Sequence, residues 1–158
     1  MSKTITVLTL ISALGIAAVA TAQDKGPHDA AIKGRQAMFQ TFNFNLGILG
    51  DMAKGKTEYN ADIAKQSAEN LDAAANFGHI AMWPEGSDSE SEGNAKNRSL
   101  PAIWSNMSDV DEKFKALQAA TATMASQAGG GLDALKGAMG DVGGSCKACH
   151  DDYRAKRR

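Results

Sequence analysis

The sequence predicts an all-α fold, an antiparallel four-helix bundle. Three observations carry that expectation. Apolar residues recur at spacings of three and four, with little strict alternation. The three prolines, at 27, 84 and 101, divide the chain into two halves around a polar loop. The remaining interruptions are short, and helices joined by short connections pack against each other in opposite directions.

The 158-residue chain opens with "MSKTITVLTLISALGIAAVATAQ". Lys3 precedes an uncharged apolar run, and Ala20-Thr21-Ala22 is a small-residue cleavage pattern. That is a secretory signal peptide over residues 1–22, cut near Ala22–Gln23. The apolar run is shorter than the roughly 20 residues that cross a bilayer. No other stretch is apolar enough, so no membrane insertion of the mature chain is expected. Residues 23–158 then form one domain. Seventeen basic and 18 acidic residues leave a formal charge of −1, which argues against a nucleic-acid partner. Export implies an oxidising compartment, the periplasm.

The first helix is expected over about 27–54, starting at Pro27, with the stripe Ile32, Phe39, Phe42, Leu46, Leu49 and Ala53. Met38, Asn45 and Met52 recur by sevens beside that stripe and offer a second, semi-apolar line. Thr57 is expected to cap a second helix over 58–82. Its stripe of Ile63, Ser67, Leu71, Ala74, Gly78 and Ala81 is rich in small residues. "WPEGSDSESEGNAKNRSLP" is a long connection, read as a solvated excursion or a cover. A third helix runs from about Pro101 to Ala128, and Gly129-Gly130-Gly131 stops it. The fourth carries Leu132, Leu135, Met139, Val142, Cys146, Cys149 and Tyr153 on one stripe.

The chain's only cysteines, Cys146 and Cys149, thus lie on the inward face of the last helix, and His150 follows directly. His150 is four residues beyond Cys146 and lies above it on nearly the same face. An i,i+3 disulfide fits the compartment but leaves His150 without a purpose. A zinc site needs a fourth ligand, from His28, His79 or a carboxylate. A thioredoxin-like pair ordinarily opens a helix near a βαβ unit. Cys-x-x-Cys-His is also the attachment signal of covalent haem, and this reading uses all three groups. One such motif implies one haem c per chain. No Ser-His-Asp set, paired catalytic carboxylates or phosphate loop is present, so no enzyme activity is expected.

"GDVGGSCKACHDDYRAK" at the end of a four-helix chain resembles the cytochrome c′ family, the class II c-type cytochromes. "GRQAMF", "AMWPEG" and "LPAIW" match as well, and the resemblance covers residues 24–158. It implies one haem inside the bundle, bound covalently through Cys146 and Cys149, with His150 as the iron's proximal ligand. It places Arg35 and Gln36 at the haem propionates, Arg98 at the haem edge and Arg154 over the proximal face. Trp83 and Trp104 are expected to flank the pocket. Low-spin relatives of the c-556 type carry methionine four residues after the first-helix arginine. Here that residue is Phe39, which has no lone pair to give. Met38 is adjacent but turned by about 100°. Two function classes follow: a five-coordinate haem protein taking nitric oxide or carbon monoxide, or a six-coordinate carrier working only with redox partner proteins. Family members commonly pair through their first two helices, and Met38, Asn45 and Met52 would supply such a homodimer contact. His28 and His79 are expected at the surface.

Overall fold

A computed structural model describes residues 26–157; the expected signal peptide over 1–22 and its expected cleavage site lie outside the described residues. Five α-helices follow in order: α1 (Asp29–Ala53), α2 (Ala61–Asn76), the one-turn α3 (Ala102–Ser105), α4 (Met107–Gln127) and α5 (Leu132–Tyr153). Short 3-10 turns occupy Ile80–Met82 and Ala128–Gly130. The four long helices close a ring. α1 packs on α2 and α5, and α4 packs on the same two. Leu49, Leu71, Met124, Leu135 and Val142 are fully buried among alanines at its centre.

α1 keeps its expected stripe against the core and buries a second one beside it. Its buried residues are Ile32, Arg35, Met38, Phe42, Asn45, Leu49, Gly50 and Met52. Six of these step by alternating three and four, so they form a full core stripe. Met38, Asn45 and Met52, the expected dimer line, are 4%, 3% and 5% exposed. They pack within the protomer and leave no surface for a partner. Asn45 takes part in a polar contact across the helix pair, since Asn70 Nδ2 donates to its side-chain oxygen at 3.3 Å.

α2 begins and ends differently from the expected 58–82 span. Its cap is Asn60, not Thr57. The Asn60 side chain accepts from Ile63 N at 3.0 Å, while the backbone of Asn60 stays extended. The helix stops at Asn76, because Phe77 turns extended ahead of Gly78. The buried face is Ala64, Ser67, Ala68, Leu71 and Ala75; Ile63 is exposed.

The third expected helix is broken into α3 and α4 at Asn106. Its side chain donates to Ala102 O at 3.1 Å, the carbonyl that its own backbone N–H would otherwise take, and that N–H reaches Ile103 O instead. The glycine run ends α4 as expected. Tyr59 fixes this corner, donating to Ala128 O at 2.8 Å and accepting from Gly131 N at 3.0 Å.

The connection between Trp83 and Pro101 is no solvated excursion. Ser87 and Asp88 are buried. Asp88 Oδ1 accepts from the backbone N–H groups of Glu90 and Ser91, each at 2.8 Å, and Asp29 of α1 accepts from Ala95 N at 2.6 Å. Gly26 lies so close to Gly93 O that a Cβ would stand 1.8 Å from it, so this junction admits only glycine.

The two candidate caps of α2 are separable by substitution. Asn60→Ala should lower unfolding free energy by about 1 kcal/mol, whereas Thr57→Ala should change it by less than about 0.5 kcal/mol. Paired denaturant titrations check this, and a larger loss at Thr57 would reverse the assignment.

Candidate functional site

A cavity of about 590 Å³ opens at one end of the bundle. α1 supplies Phe39, Phe42 and Leu46 to its wall, α3 supplies Ile103, and α4 supplies Phe114 and Leu117. α5 presents Cys146, Cys149 and His150 from the opposite side. Lys96, Asn97, Arg98 and Ser99 of the long connection close the mouth. All eight residues singled out from the sequence, Arg35, Gln36, Phe39, Arg98, Cys146, Cys149, His150 and Arg154, line this one volume.

Cys146, Cys149 and His150 are half-buried, and the two cysteines are not joined in a disulfide. Burial pushes both thiols up from their ordinary value. Burial also pushes the His150 imidazole down, and Arg154 and Arg98 add to that. A neutral imidazole keeps a lone pair for a metal. Among the described residues no three His, Cys, Asp or Glu side chains gather as a metal cluster, so a zinc reading finds no further ligands there.

Arg35 has a use that the sequence did not show. It is 2% exposed. Nη1 donates to Met82 O at 3.1 Å and Ser87 Oγ at 2.7 Å; Nη2 donates to Ser87 O and to Asn97 Oδ1 at 3.2 Å. The guanidinium also lies 4.8 Å from the Trp83 ring centre. Burial pushes its pKa down, and Asp88 opposes that. Burial likewise pushes the Asp88 carboxyl up, but hydrogen bonds from Ser91 and the backbone outweigh it and leave it low. Gln36 also reaches the connection, donating to Lys96 O at 2.9 Å. Helix α1 therefore ties the cavity's cover down through two successive residues.

Arg98 donates through Nε and Nη2 to Ala155 O, beside the chain that leaves α5. Arg154 sits across from Ser99 in an antiparallel bridge. Trp83 lines the cavity; Trp104 stands behind it, donating to Trp83 O at 3.1 Å. Lys113 and Tyr153 also line the cavity and were not read from the sequence. Lys113 lies 3.2 Å from Asp152 and 3.5 Å from Asp109. The hydrogen bond to Asp152 pushes Lys113 up. Tyr153 donates to Asp109 at 2.6 Å, which pushes its hydroxyl up to about 12. The one signal for Tyr153 was its place on the inward stripe of α5; Lys113 lies beside the stripe of α4 and carried none.

The cytochrome c′ family model matches residues 30–154. The chain belongs to the cytochrome c′ family. A cytochrome c-554 from Cereibacter sphaeroides is 38% identical over 89% of this chain and 91% of that protein. A cytochrome c′ from Allochromatium vinosum is 37% identical, over 92% and 93%. Among solved structures, a cytochrome c′ from Rhodobacter Spheriodes superposes with a TM-score of 0.78 at 31% identity, over 82% of this chain and 98% of that one.

Membership makes the protein a non-enzymatic haem protein with one haem c on Cys146 and Cys149. The cavity fits that group. Its volume is within the roughly 300–1,000 Å³ of cofactor sites. Its walls are mostly apolar, two thiols stand one helical turn apart, and a neutral imidazole lies beside them.

Arg35→Ala strips a partner from the buried carbonyl of Ser87 and from the half-buried carbonyl of Met82. It should cost the holoprotein about 2–4 kcal/mol and remove hydrogen-exchange protection over 87–99. Arg35→Lys should restore little, because an ammonium cannot reproduce the planar fork. Protection unchanged in Arg35→Ala would show that the connection holds without it.

Proposed function

We propose that the protein is an exported, periplasmic, high-spin haem protein that takes nitric oxide or carbon monoxide at an open iron position. Electron exchange with redox partners uses the same haem. The carrying observation is the identity of the cavity wall: Phe39 lines it, Met38 does not, and no methionine or second histidine joins His150 there. Lys113 is no substitute ligand, because its carboxylate partners keep it protonated. Two solved relatives from Alcaligenes xylosoxidans, 32% and 33% identical, are nitric oxide complexes.

The haem supplies an iron that takes one electron or one diatomic ligand. Cys146 and Cys149 would hold the group to α5, and neutral His150 would offer the iron a nitrogen. Phe39, Phe42 and Leu46 would give a bound haem an apolar wall with no hydrogen-bond donor of its own, with Gln40 and Asn43 also lining the cavity. Such a wall would favour nitric oxide or carbon monoxide over oxygen, whose polar iron complex gains from a donor. Arg98 and Arg154 at the mouth offset the haem carboxylates, and Gln36 and Arg35 keep the connection in place above them.

A second reading, a low-spin carrier of the c-556 type, draws support from names alone. Relatives called cytochrome c-554 and cytochrome c-556 are 38% and 34% identical. The homodimer reading loses its original residues but keeps another basis. Phe44 and Ile80, 69% and 83% exposed, flank the α1–α2 face together with Phe77. A solved cytochrome c′ relative, 35% identical, shows ligand-controlled dimer dissociation.

Absorption spectra of the oxidised and reduced protein test the central reading, which requires high-spin iron in both states. The Phe39 ring is braced by Phe42 and Trp83, with centres 6.0 Å and 6.5 Å away. Moving it aside costs about 1–3 kcal/mol, roughly ten- to a hundredfold in affinity. Phe39→Ala should therefore bind carbon monoxide that much more tightly. Met38→Ala should lose about 2–5 kcal/mol of stability as a core truncation, with gas affinity unchanged. Low-spin reduced protein, or carbon monoxide affinity that responds to Met38 and not to Phe39, would reject the proposal.

Sedimentation should find a dimer at micromolar concentration that Phe44→Glu dissociates. A wild-type monomer throughout would exclude it.

A further inference from the structure

We propose that the basic rim of the haem cavity is a docking surface for the acidic face of an electron-donating protein. This rests on the electron-exchanging part of the function above. The rim is assembled by the fold. Lys96 and Arg98 come from the connection that covers the cavity; Arg154, Lys156 and Arg157 come from the chain beyond α5. Leu100 N donates to Tyr153 O at 3.0 Å and Ala155 N to Arg98 O at 2.9 Å, so the two segments run side by side. Lys96, Arg154, Lys156 and Arg157 are exposed, and Arg98 is half-buried.

The charge there is offset only in part from within the chain, by Asp151 acting on Lys156. Among the described residues none of the five cations is in an ion pair. Asp151, which senses Lys156, is already paired with Lys147. The chain carries 18 acidic residues against 17 basic ones, so the local excess is one of placement, not composition. Burial, then repulsion from Arg154 and Arg157, pushes the Arg98 guanidinium down. A haem c brings two carboxylates, which balance at most two of the five. Lys156 and Arg157 do not line the cavity, so the haem does not account for them. A rim with a basic excess around the edge where electrons cross steers an oppositely charged partner to that edge. An acidic membrane is the weaker fit: among the described residues the large exposed apolar side chains, Phe44, Ile63, Phe77, Ile80 and Met107, all belong to other segments, leaving the rim's two segments without an apolar anchor.

The test uses ferric holoprotein in stopped flow with two one-electron donors. One is a reduced acidic [2Fe–2S] ferredoxin; the other is uncharged lumiflavin semiquinone. The ferredoxin rate should fall about tenfold as salt rises from roughly 20 to 300 mM. Lys156→Glu with Arg157→Glu should lower it by about the same factor at low salt and flatten its salt dependence. The lumiflavin rate should not change in either case. A ferredoxin rate indifferent to salt and to charge reversal, with lumiflavin reduction intact, overturns the docking surface alone. Failure of lumiflavin to reduce the haem overturns the electron-exchanging reading beneath it. Capture of the protein by phosphatidylglycerol vesicles, with a salt-insensitive ferredoxin rate, overturns the proposal in favour of a membrane surface.

Discussion

A buried guanidinium governs the open end of this bundle. Arg35 projects from α1 into a position almost free of water, where an unpaired charge would be very costly. The connection after the second helix meets that demand with two backbone carbonyls, a hydroxyl and an amide oxygen. In doing so it loses its freedom. Many of its own polar groups are then satisfied in place by the Asp88 turn, Asn97 and Asp29, while the buried Asn94 Oδ1 has no protein partner. The result is a rigid wall in which Trp83, Asn97 and Arg98 face the haem cavity. Without the arginine, a segment of this composition would have little reason to fold over anything.

The opposite wall depends on α5. From Leu135 to Val142 its inward stripe is apolar and fully packed; from Cys146 onward the same stripe meets space. Gly143 and Gly144 contribute no bulk where the helix passes from core to cavity. A Cβ on either would meet nothing within 4 Å, so their role is not close packing. The thiols and imidazole are held by a helix whose other end is anchored in the core, which fixes their orientation before any cofactor arrives. Burial together with two nearby arginines keeps the imidazole neutral, the state in which it can ligate.

Much of this was legible in the sequence, for identifiable reasons. The CxxCH motif is a local covalent signal, and the apolar rhythm fixes which face of its helix turns inward. The helical class and the glycine stop were readable for the same reason. What failed depended on side chains reaching backbone atoms. Asn60 and Thr57 are both good caps by type, and only the turn geometry chooses between them. Asn106 breaks an otherwise regular stripe by taking one carbonyl. The connection reads as polar and loose because its partner, Arg35, lies more than forty residues away. Arg35 itself reads as a solvated helix residue or a haem contact; nothing local reveals that four loop atoms consume its donors.

The ambiguity on α1 is of a different kind, and it bears on function. Two stripes overlap on this helix and share Phe42 and Leu49. One runs through Arg35, Met38, Asn45 and Met52; the other through Phe39 and Leu46. Both keep helical spacing, so periodicity cannot rank them. The bundle uses both. The first faces the protein core, and the second borders the core and the cavity together. The setting is locked at Arg35, because only that rotation brings its guanidinium to Ser87 and Asn97. A rotation by one residue would exchange Met38 for Phe39 at the cavity wall, and with it a sulfur lone pair for an inert ring. The interaction that closes the cavity therefore also selects which side chain stands at its wall, Phe39 and not Met38.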